Sequence, residues 1–234
     1  MKILAIDTAS TVCSVSILED TTLLGDKTIN DEKTHSQKLM PLIEQLFNEL
    51  NLTVNDIDLF GVDIGPGSFT GIRIGMSTIK AFCDIYNKPV CGISSLETLA
   101  YSIKPDTEDC LICSMIDAKH DNLYTGFFEY NDNKYIEYQP AKLHSIDNIL
   151  SDCKSLKKPI IFVGNGSILF KDMIESKLGH QAIFSNRPEH NKASAFNLGI
   201  ATYFHYKENQ FCYSEDLEPM YLKKSAAELQ MKEK

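Results

Sequence analysis

The amino-acid sequence predicts an α/β protein with two related lobes, each built on a β-sheet flanked by helices. Short apolar runs rich in β-forming residues alternate with segments whose apolar residues recur every three or four positions. An apolar strand that ends in aspartate, followed by a turn and a return strand, occurs at Asp7 and again at Asp117. A polar loop over residues 104–109 separates the two halves. These observations predict an N-terminal lobe at residues 1–104 and a C-terminal lobe at residues 105–224.

Length and charge exclude several classes of protein. The 234 residues include 23 basic and 32 acidic side chains, which gives a net charge of −9. Unaided binding to nucleic acid needs a basic face that neutralises phosphates, so contact with RNA is expected only through a basic partner. No run approaches the ~18 apolar residues that span a bilayer, and the first apolar run stops at Asp7, too early for a signal peptide. We therefore expect a cytoplasmic protein whose seven cysteines are reduced thiols.

The N-terminal lobe is predicted to begin with three strands that form an antiparallel meander. The strands of this lobe are expected at residues 2–7, 12–18, 21–29, 57–63 and 89–93. A helix at residues 36–50 follows the meander, because Thr34 and Gln37 have the spacing of a capping box and a wide apolar stripe comes after them. Pro41 is expected to kink the first turns of this helix without ending it. A second helix is predicted at residues 69–86.

The C-terminal lobe has fewer clear patterns. Its strands are expected at residues 110–116, 123–130 and 159–163. A helix is predicted at residues 193–206, and this last helix can return to the N-terminal lobe. Residues 225–234 are expected to be a mobile tail.

A glycine-rich turn from Gly65 to Gly75 follows the fourth strand and opens the second helix. Glycines allow tight turns and close approach, and a helix N-terminus presents free N–H groups to an anion. Arg73 would add a charged donor, while Asp7 and Asp63 would flank the same cleft from strand ends. The same residues also fit a turn that is capped only for stability, and residue types alone do not decide between the two interpretations. The candidates for a nucleotide or anion cleft are Asp7, Thr8, Gly65, Gly67, Ser68, Thr70 and Arg73.

The sequence gives little support to a metal site or a catalytic nucleophile. The closest two of the six histidines are ten positions apart, so there is no helical metal-binding pair. Cys110 and Cys113 have C-x-x-C spacing, but they fall in a predicted strand, which favours a structural role over a redox pair. No Gly-x-Ser-x-Gly motif is present, so a hydrolase or peptidase nucleophile is not supported. We therefore predict no catalytic residue and no metal.

Several stretches of the sequence together resemble one protein family. Besides the block at residues 58–75, the similar stretches are at residues 6–10, 35–41, 94–100, 116–124, 164–166 and 219–223. In this order, and over residues 1 to about 224, they resemble the TsaB (YeaZ) family of the bacterial tRNA threonylcarbamoyladenosine system. The resemblance implies the two-lobed actin-like ATPase fold, in which a mixed sheet flanked by helices is duplicated. Thr34 stands where the family often has arginine, which weakens an anion-binding role at that position.

The resemblance also implies a function. It predicts a non-catalytic partner and activator of TsaD, the catalytic subunit, which works with the ATPase TsaE. Their complex transfers threonylcarbamoyl to the adenosine beside the tRNA anticodon, so tRNA is expected only through the complex. No tightly bound cofactor is expected, and ATP only at the level of the complex. The alternative is an ATP-binding hydrolase or kinase of the actin-like superfamily that acts alone, using Asp7, the glycine-rich turn and Arg73.

The two helices at residues 36–50 and 69–86 are predicted to bind TsaD, because the family pairs through N-lobe helices. The apolar stripe of the first helix is wide enough to serve both a core and a partner. Gly71 and Gly75 lie one turn apart, and such small residues allow either a partner helix or the chain's own core to approach closely. The predicted interface residues are Leu39, Leu42, Ile43, Leu46, Gly71, Gly75, Met76 and Ile79. The sequence does not decide whether the isolated chain forms a homodimer.

Overall fold

The computed structural model describes residues 1–30 and 35–223. Its first half folds into a sheet with flanking helices: β1 (Lys2–Asp7), β2 (Val12–Glu19), β3 (Thr22–Asn30), α1 (His35–Leu50), β4 (Leu59–Gly65), α2 (Phe69–Tyr86), β5 (Val90–Ser94) and α3 (Ser95–Ala100). Its second half repeats the plan: β6 (Leu111–Asp117), β7 (Asn122–Asn131), β8 (Lys134–Ser145), α4 (Ile146–Leu156), β9 (Ile160–Val163), α5 (Asn165–Leu169), α6 (Lys171–Leu178), β10 (Ala182–Phe184) and α7 (Ala195–Lys207).

The two sheets share one topology. The strand order is β3-β2-β1-β4-β5 in the first sheet and β8-β7-β6-β9-β10 in the second. In each sheet the first three strands of the chain pair antiparallel, and the two later strands extend the sheet in parallel. This repeat confirms the duplicated mixed sheet, and it explains why the sequence carries an apolar strand ending in aspartate at both Asp7 and Asp117.

Three apolar cores hold these layers together. The first lies between the first sheet and helices α1 and α2, and includes Ile6, Leu46 and Ile79. The second lies between the second sheet and helices α4 and α6. The third fills the space between the two sheets, where Leu96 of α3 and Leu198 of α7 pack. Helix α7 contacts β1 and β2, so the last described helix of the chain lies against the first sheet.

Most predicted elements are present, with ends that differ by no more than two residues. Helix α1 continues through Pro41, as expected. Thr34 of the predicted capping box and the predicted tail at residues 225–234 lie outside the described residues. The sequence patterns missed β8, α4, α5, α6 and β10. Strand β8 is an edge strand that contains Pro140 and is mostly exposed, so its residues do not alternate cleanly between apolar and polar.

Candidate functional site: the cleft and the helix groove

Two aspartates lie side by side at the carboxyl ends of neighbouring parallel strands, Asp7 on β1 and Asp63 on β4. Both are almost completely buried, with 2% and 1% of their surface exposed. Asp7 accepts a hydrogen bond from the Ala9 amide at 3.0 Å. Asp63 accepts hydrogen bonds from the Gly65 amide and the Ser95 hydroxyl, both at 2.6 Å through Oδ1. The two carboxylates therefore fix the turns that follow their strands.

Burial raises the pKa values of both carboxyl groups. The pKa of Asp7 rises to about 6, although the Ala9 amide and the charge of His35 oppose the shift. The pKa of Asp63 rises well above its usual range because of burial and the adjacent Asp7 charge. Oδ2 of Asp63 has no hydrogen-bond partner among the described residues, which fits a carboxyl group held in its protonated form.

The glycine-rich turn packs directly against the turn between β1 and β2. A Cβ atom on Gly67 or Gly71 would collide with the carbonyl oxygen of Ala9 or Thr8 respectively. The Thr8 hydroxyl donates to the Gly71 carbonyl at 2.7 Å, and the Ser68 amide donates to the Ala9 carbonyl at 2.7 Å. The Ser68 hydroxyl accepts from the Gly71 amide at 3.2 Å and caps α2. Several donors that an anion would need are thus already satisfied within the chain.

Arg73, predicted as a charged donor of the cleft, is not among the residues that line it, and its side chain contacts Tyr221 and Phe69 instead. Its Nε donates to the Tyr221 hydroxyl at 3.1 Å, and its guanidinium carbon lies 4.3 Å from the centre of the Phe69 ring. The Tyr221 and Phe69 rings stack at 4.2 Å. The same C-terminal segment covers Gly65, because a Cβ there would lie 2.8 Å from the Met220 carbonyl oxygen. The sequence motif placed Arg73 on α2 but did not give the direction of its side chain.

A cleft of about 770 Å³ lies between the two lobes. Of the seven predicted cleft residues, Gly67, Ser68 and Thr70 line the cleft, and the other four do not. The residues outside the lining are Asp7, Thr8, Gly65 and Arg73. Asp7, Thr8 and Gly65 are buried and support the turns on which the lining residues lie.

Sequence reasoning missed several polar residues of the cleft, among them His35, Lys119 and Lys223. His35 begins α1, and its Nε2 lies 2.7 Å from the carbonyl oxygen of Ser10 in the β1–β2 turn. Lys119 forms an ion pair with Asp117 at 2.7 Å, and this pairing lowers the pKa of Asp117. Lys119 lies two residues after Asp117, in the turn that corresponds to the one after Asp7. This correspondence could have predicted from the sequence that Lys119 lies at the cleft.

The eight residues predicted as a partner surface are buried in the chain's own core, and one of them, Ile43, also lines an exposed groove between α1 and α2. They are Leu39, Leu42, Ile43, Leu46, Gly71, Gly75, Met76 and Ile79, all buried. A Cβ on Gly75 would lie 2.5 Å from the Thr8 hydroxyl oxygen and close to Val62, so this glycine allows α2 to approach the first sheet. The centre of the apolar stripe is therefore the face that the fold buries, and only the edge of the stripe is available to a partner.

The exposed side of the same two helices carries a separate apolar groove of about 530 Å³. Met40 and Phe47 of α1 and Phe82 and Tyr86 of α2 line it. Met40 is 49% exposed, and Ile85, on the last turn of α2, is 72% exposed. Large apolar side chains that remain this accessible on adjacent helices are typical of a protein-binding surface.

Within residues 1–30 and 35–223, no three His, Cys, Asp or Glu side chains are placed to hold a metal ion. All seven cysteines are free thiols, and Cys113 contacts Cys153 across the core of the second sheet. Burial raises the pKa of the Cys113 thiol well above its usual range, which makes it unreactive. No helix in the described part of the chain is long and apolar enough to cross a membrane.

Comparisons with known proteins agree with this architecture. A family model described as "TsaD: tRNA N6-adenosine threonylcarbamoyltransferase" matches residues 22–231. The tRNA threonylcarbamoyladenosine biosynthesis protein TsaB of Bacillus subtilis (strain 168) is 30% identical over 228 residues, which cover 97% of this chain and 96% of that protein.

Solved structures show the fold. A Pseudomonas aeruginosa protein described as similar to peptidase YEAZ superposes with a TM-score of 0.80 at 21% identity, covering 95% of this chain and 99% of the other. A ROK hexokinase from Thermus thermophilus superposes with a TM-score of 0.57 at 10% identity, covering 89% and 100%. The chain has the two-lobed actin-like ATPase fold, and by sequence and structure together it belongs to the TsaB (YeaZ) family.

Proposed function

We propose that this protein is a non-catalytic partner and activator of a TsaD-type threonylcarbamoyltransferase. In this proposal the complex transfers threonylcarbamoyl to the adenosine beside the tRNA anticodon, with TsaE as the ATPase and in the cytoplasm. Membership of the TsaB family supports involvement in this modification. The observation that supports a docking role is the exposed apolar groove between α1 and α2.

The groove has the properties that a stable interface needs. Burying apolar surface contributes about 25 cal/mol per Å², and aromatic side chains near the centre of an interface carry much of its binding energy. Met40, Phe82 and Tyr86 line the groove, and the exposed Ile85 is the helix-surface neighbour of Phe82, three residues further along α2. The occupant that we propose is the helical surface of TsaD, in agreement with the family's use of N-lobe helices for pairing. A second copy of this chain would compete for the same groove when TsaD is absent.

The rival function, ATP hydrolysis or kinase activity by the isolated chain, has less support from the cleft. Asp7 and Asp63 are buried with raised pKa values, and Arg73 is held by Tyr221. The acidic net charge of −9 also argues against unaided binding of tRNA. We therefore propose that ATP acts at the level of the complex. ATP turnover by the pure chain that is lost in Asp7→Ala would favour the rival.

The experiment that tests the docking surface measures the affinity of the cognate TsaD for groove variants. Ile85→Asp places a charge in the proposed interface and is expected to weaken binding at least tenfold, about 1.4 kcal/mol. Ile168→Asp is the matched control, because Ile168 is 59% exposed on α5 of the other lobe. Both variants should fold normally, since exposed positions tolerate substitution within about 0.5 kcal/mol. Equal affinity of the two variants for TsaD would contradict the proposed surface.

A further inference from the structure

A third cavity, of about 390 Å³, lies where the carboxyl ends of β4 and β5 meet the second sheet. Ile64 and Gly92 line it from the first sheet, and Phe128 lines it from the second. Its lining shares no residue with the cleft or with the helix groove. In α/β proteins, small molecules bind preferentially at the carboxyl ends of parallel strands, so the position of the cavity is a first reason to consider it a ligand site.

Four aromatic side chains form part of the wall of this cavity. The Tyr101 and Tyr135 rings lie 4.4 Å apart, and Phe204 of α7 lies 6.2 Å from Tyr101. Phe128 of β7 is the fourth of these side chains. Ring faces carry partial negative charge, which attracts cations, and the effect strengthens where water is excluded.

A partly buried ion pair also lines the cavity. Nε2 of His205 lies 2.7 Å from Oε1 of Glu97, and only 25% and 13% of these side chains are exposed. Burial disfavours the charged form of His205, but the hydrogen bond and charge of Glu97 outweigh burial and raise the pKa of His205. Removing two charges from water costs several kcal/mol per ion before their attraction is counted, and apolar residues would fill the same space at no such cost. The pair joins α3 to α7 and places a carboxylate and an imidazole in the wall of the cavity.

The remaining charged groups of the cavity leave it negative. Lys134 forms an ion pair with Glu208, and Glu137 adds a third carboxylate, whose Oε1 accepts a hydrogen bond from the Ala141 amide at 3.1 Å. With Glu97 and His205 included, three carboxylates face at most two cations, Lys134 and a protonated His205. This balance, together with the aromatic side chains, disfavours phosphates and carboxylates as ligands and favours a positive charge.

We propose that this cavity binds a small organic cation, a primary ammonium group on an apolar or aromatic stem. Glu97 accepts a hydrogen bond from the ammonium group, and the rings of Tyr101, Tyr135 and Phe204 enclose the stem. The site is separate from the groove that we propose for TsaD, so the inference goes beyond the proposed function and does not depend on it.

The test uses three probes that share one phenylethyl stem and differ in charge. Phenethylamine is a cation at pH 7.5, 2-phenylethanol is neutral and 3-phenylpropionate is an anion. Titration of the full chain, followed by saturation-transfer NMR, is expected to show binding of the amine at least tenfold tighter than of the alcohol, and no binding of the carboxylate. Absence of amine binding, or equal binding of amine and alcohol, overturns the proposal.

Two variants locate the binding. Glu97→Gln should weaken phenethylamine at least tenfold, whereas Glu175→Gln, at an exposed position on α6, should leave it unchanged. His205→Gln removes the internal cation that competes for Glu97 and should tighten binding, a direction that a purely structural pair does not predict. Circular dichroism checks the fold of each variant. If Glu97→Gln is unfolded, the His205→Gln result decides, and weaker or unchanged binding there overturns the proposal.

Discussion

The two lobes place the same turn in opposite electrostatic environments. After β1, the Ala9 amide donates to Asp7 at 3.0 Å, and after β6 the Lys119 amide donates to Asp117 at 2.8 Å. Asp7 is buried and its pKa rises to about 6, whereas Asp117 pairs with Lys119 and its pKa falls. Hydrogen bonding within the turn is thus common to both lobes, and the surrounding residues decide the charge state.

The difference arises from what covers each turn. In the first lobe, the glycine-rich turn at the start of α2 packs on Thr8 and Ala9, and His35 at the start of α1 contacts Ser10. In the second lobe, the turn remains open and Lys119 lines the cleft. The first turn therefore anchors the two helices that form the proposed docking groove, whereas the second forms a polar wall. The same strand–turn–strand unit therefore supports buried packing in the first lobe and forms part of the cleft wall in the second.

The largest expected effect comes from breaking the close packing of the first turn. Gly75→Arg would bury a charge and a long side chain between α2 and Thr8, and should lower the free energy of unfolding by about 4 kcal/mol or more. Ser77→Arg is the matched control on the exposed side of α2 and should change stability by less than about 0.5 kcal/mol. Urea unfolding at pH 7.5 measures both. A stable Gly75→Arg protein would show that α2 is not held against β1 by this glycine.

The next effect compares the two aspartates through the pH dependence of stability. Folding raises the pKa of Asp7. The stabilising contribution of its protonated form to the free energy of unfolding is therefore fully present below pH about 3.8 and is lost as the pH rises through about 6. Asp7→Asn should therefore raise the free energy of unfolding at pH 7.5 by up to about 3 kcal/mol and flatten its slope between pH 4 and 6.

Asp117 should behave in the opposite sense. Its pKa is lowered by folding, so its contribution is present above the ordinary aspartate pKa and is lost as the pH falls through the lowered value. Asp117→Asn should cost less than about 1 kcal/mol at pH 7.5, because the ion pair with Lys119 is close to solvent. Unfolding curves collected from pH 3 to 8 test both variants. If both substitutions changed the pH slope of the free energy of unfolding in the same direction, the proposed difference between the two turns would be contradicted.

The smallest effect compares the helix starts of the two lobes. The Ser68 hydroxyl accepts a hydrogen bond from the Gly71 amide, whereas the Ser145 side chain makes no cap hydrogen bond at the start of α4 in the described residues. Ser68→Ala should destabilise the protein by about 1 kcal/mol, and Ser145→Ala by less than about 0.5 kcal/mol. Thermal unfolding of the two variants under identical conditions provides the comparison. Equal losses of stability in the two variants would show that the Ser68 cap does not stabilise α2 more than Ser145 stabilises α4.

Periodicity and turn chemistry predicted much of the fold. Helices α1 and α2 lie where the apolar spacing placed them, and the repeated aspartate at Asp7 and Asp117 indicated the duplicated sheet. Strand β8 was missed because an edge strand buries few side chains and so carries little alternation. Such patterns report burial, and they are weak wherever burial is slight.

The site was harder to predict for the same reason. Leu39 and Gly75 were predicted to bind a partner, but they form the core, because helical spacing marks the face that is buried within the chain. Met40 belongs to the same wide stripe, three residues before Ile43, so the spacing alone did not show which edge of the stripe remains exposed. Arg73 was predicted to face the cleft, but its side chain contacts Phe69 and Tyr221, and the position of Tyr221, distant in sequence, could not be read from the motif.

A reconstituted tRNA modification assay tests the proposed role most directly. It measures transfer of threonylcarbamoyl by the cognate TsaD and TsaE with this chain omitted, present, or replaced by Ile85→Asp or Ile168→Asp. We expect no transfer when the chain is omitted, a loss of at least tenfold with Ile85→Asp, and full activity with Ile168→Asp. Transfer by this chain without TsaD, or full activity of Ile85→Asp, would contradict a non-catalytic partner that acts through the α1–α2 groove.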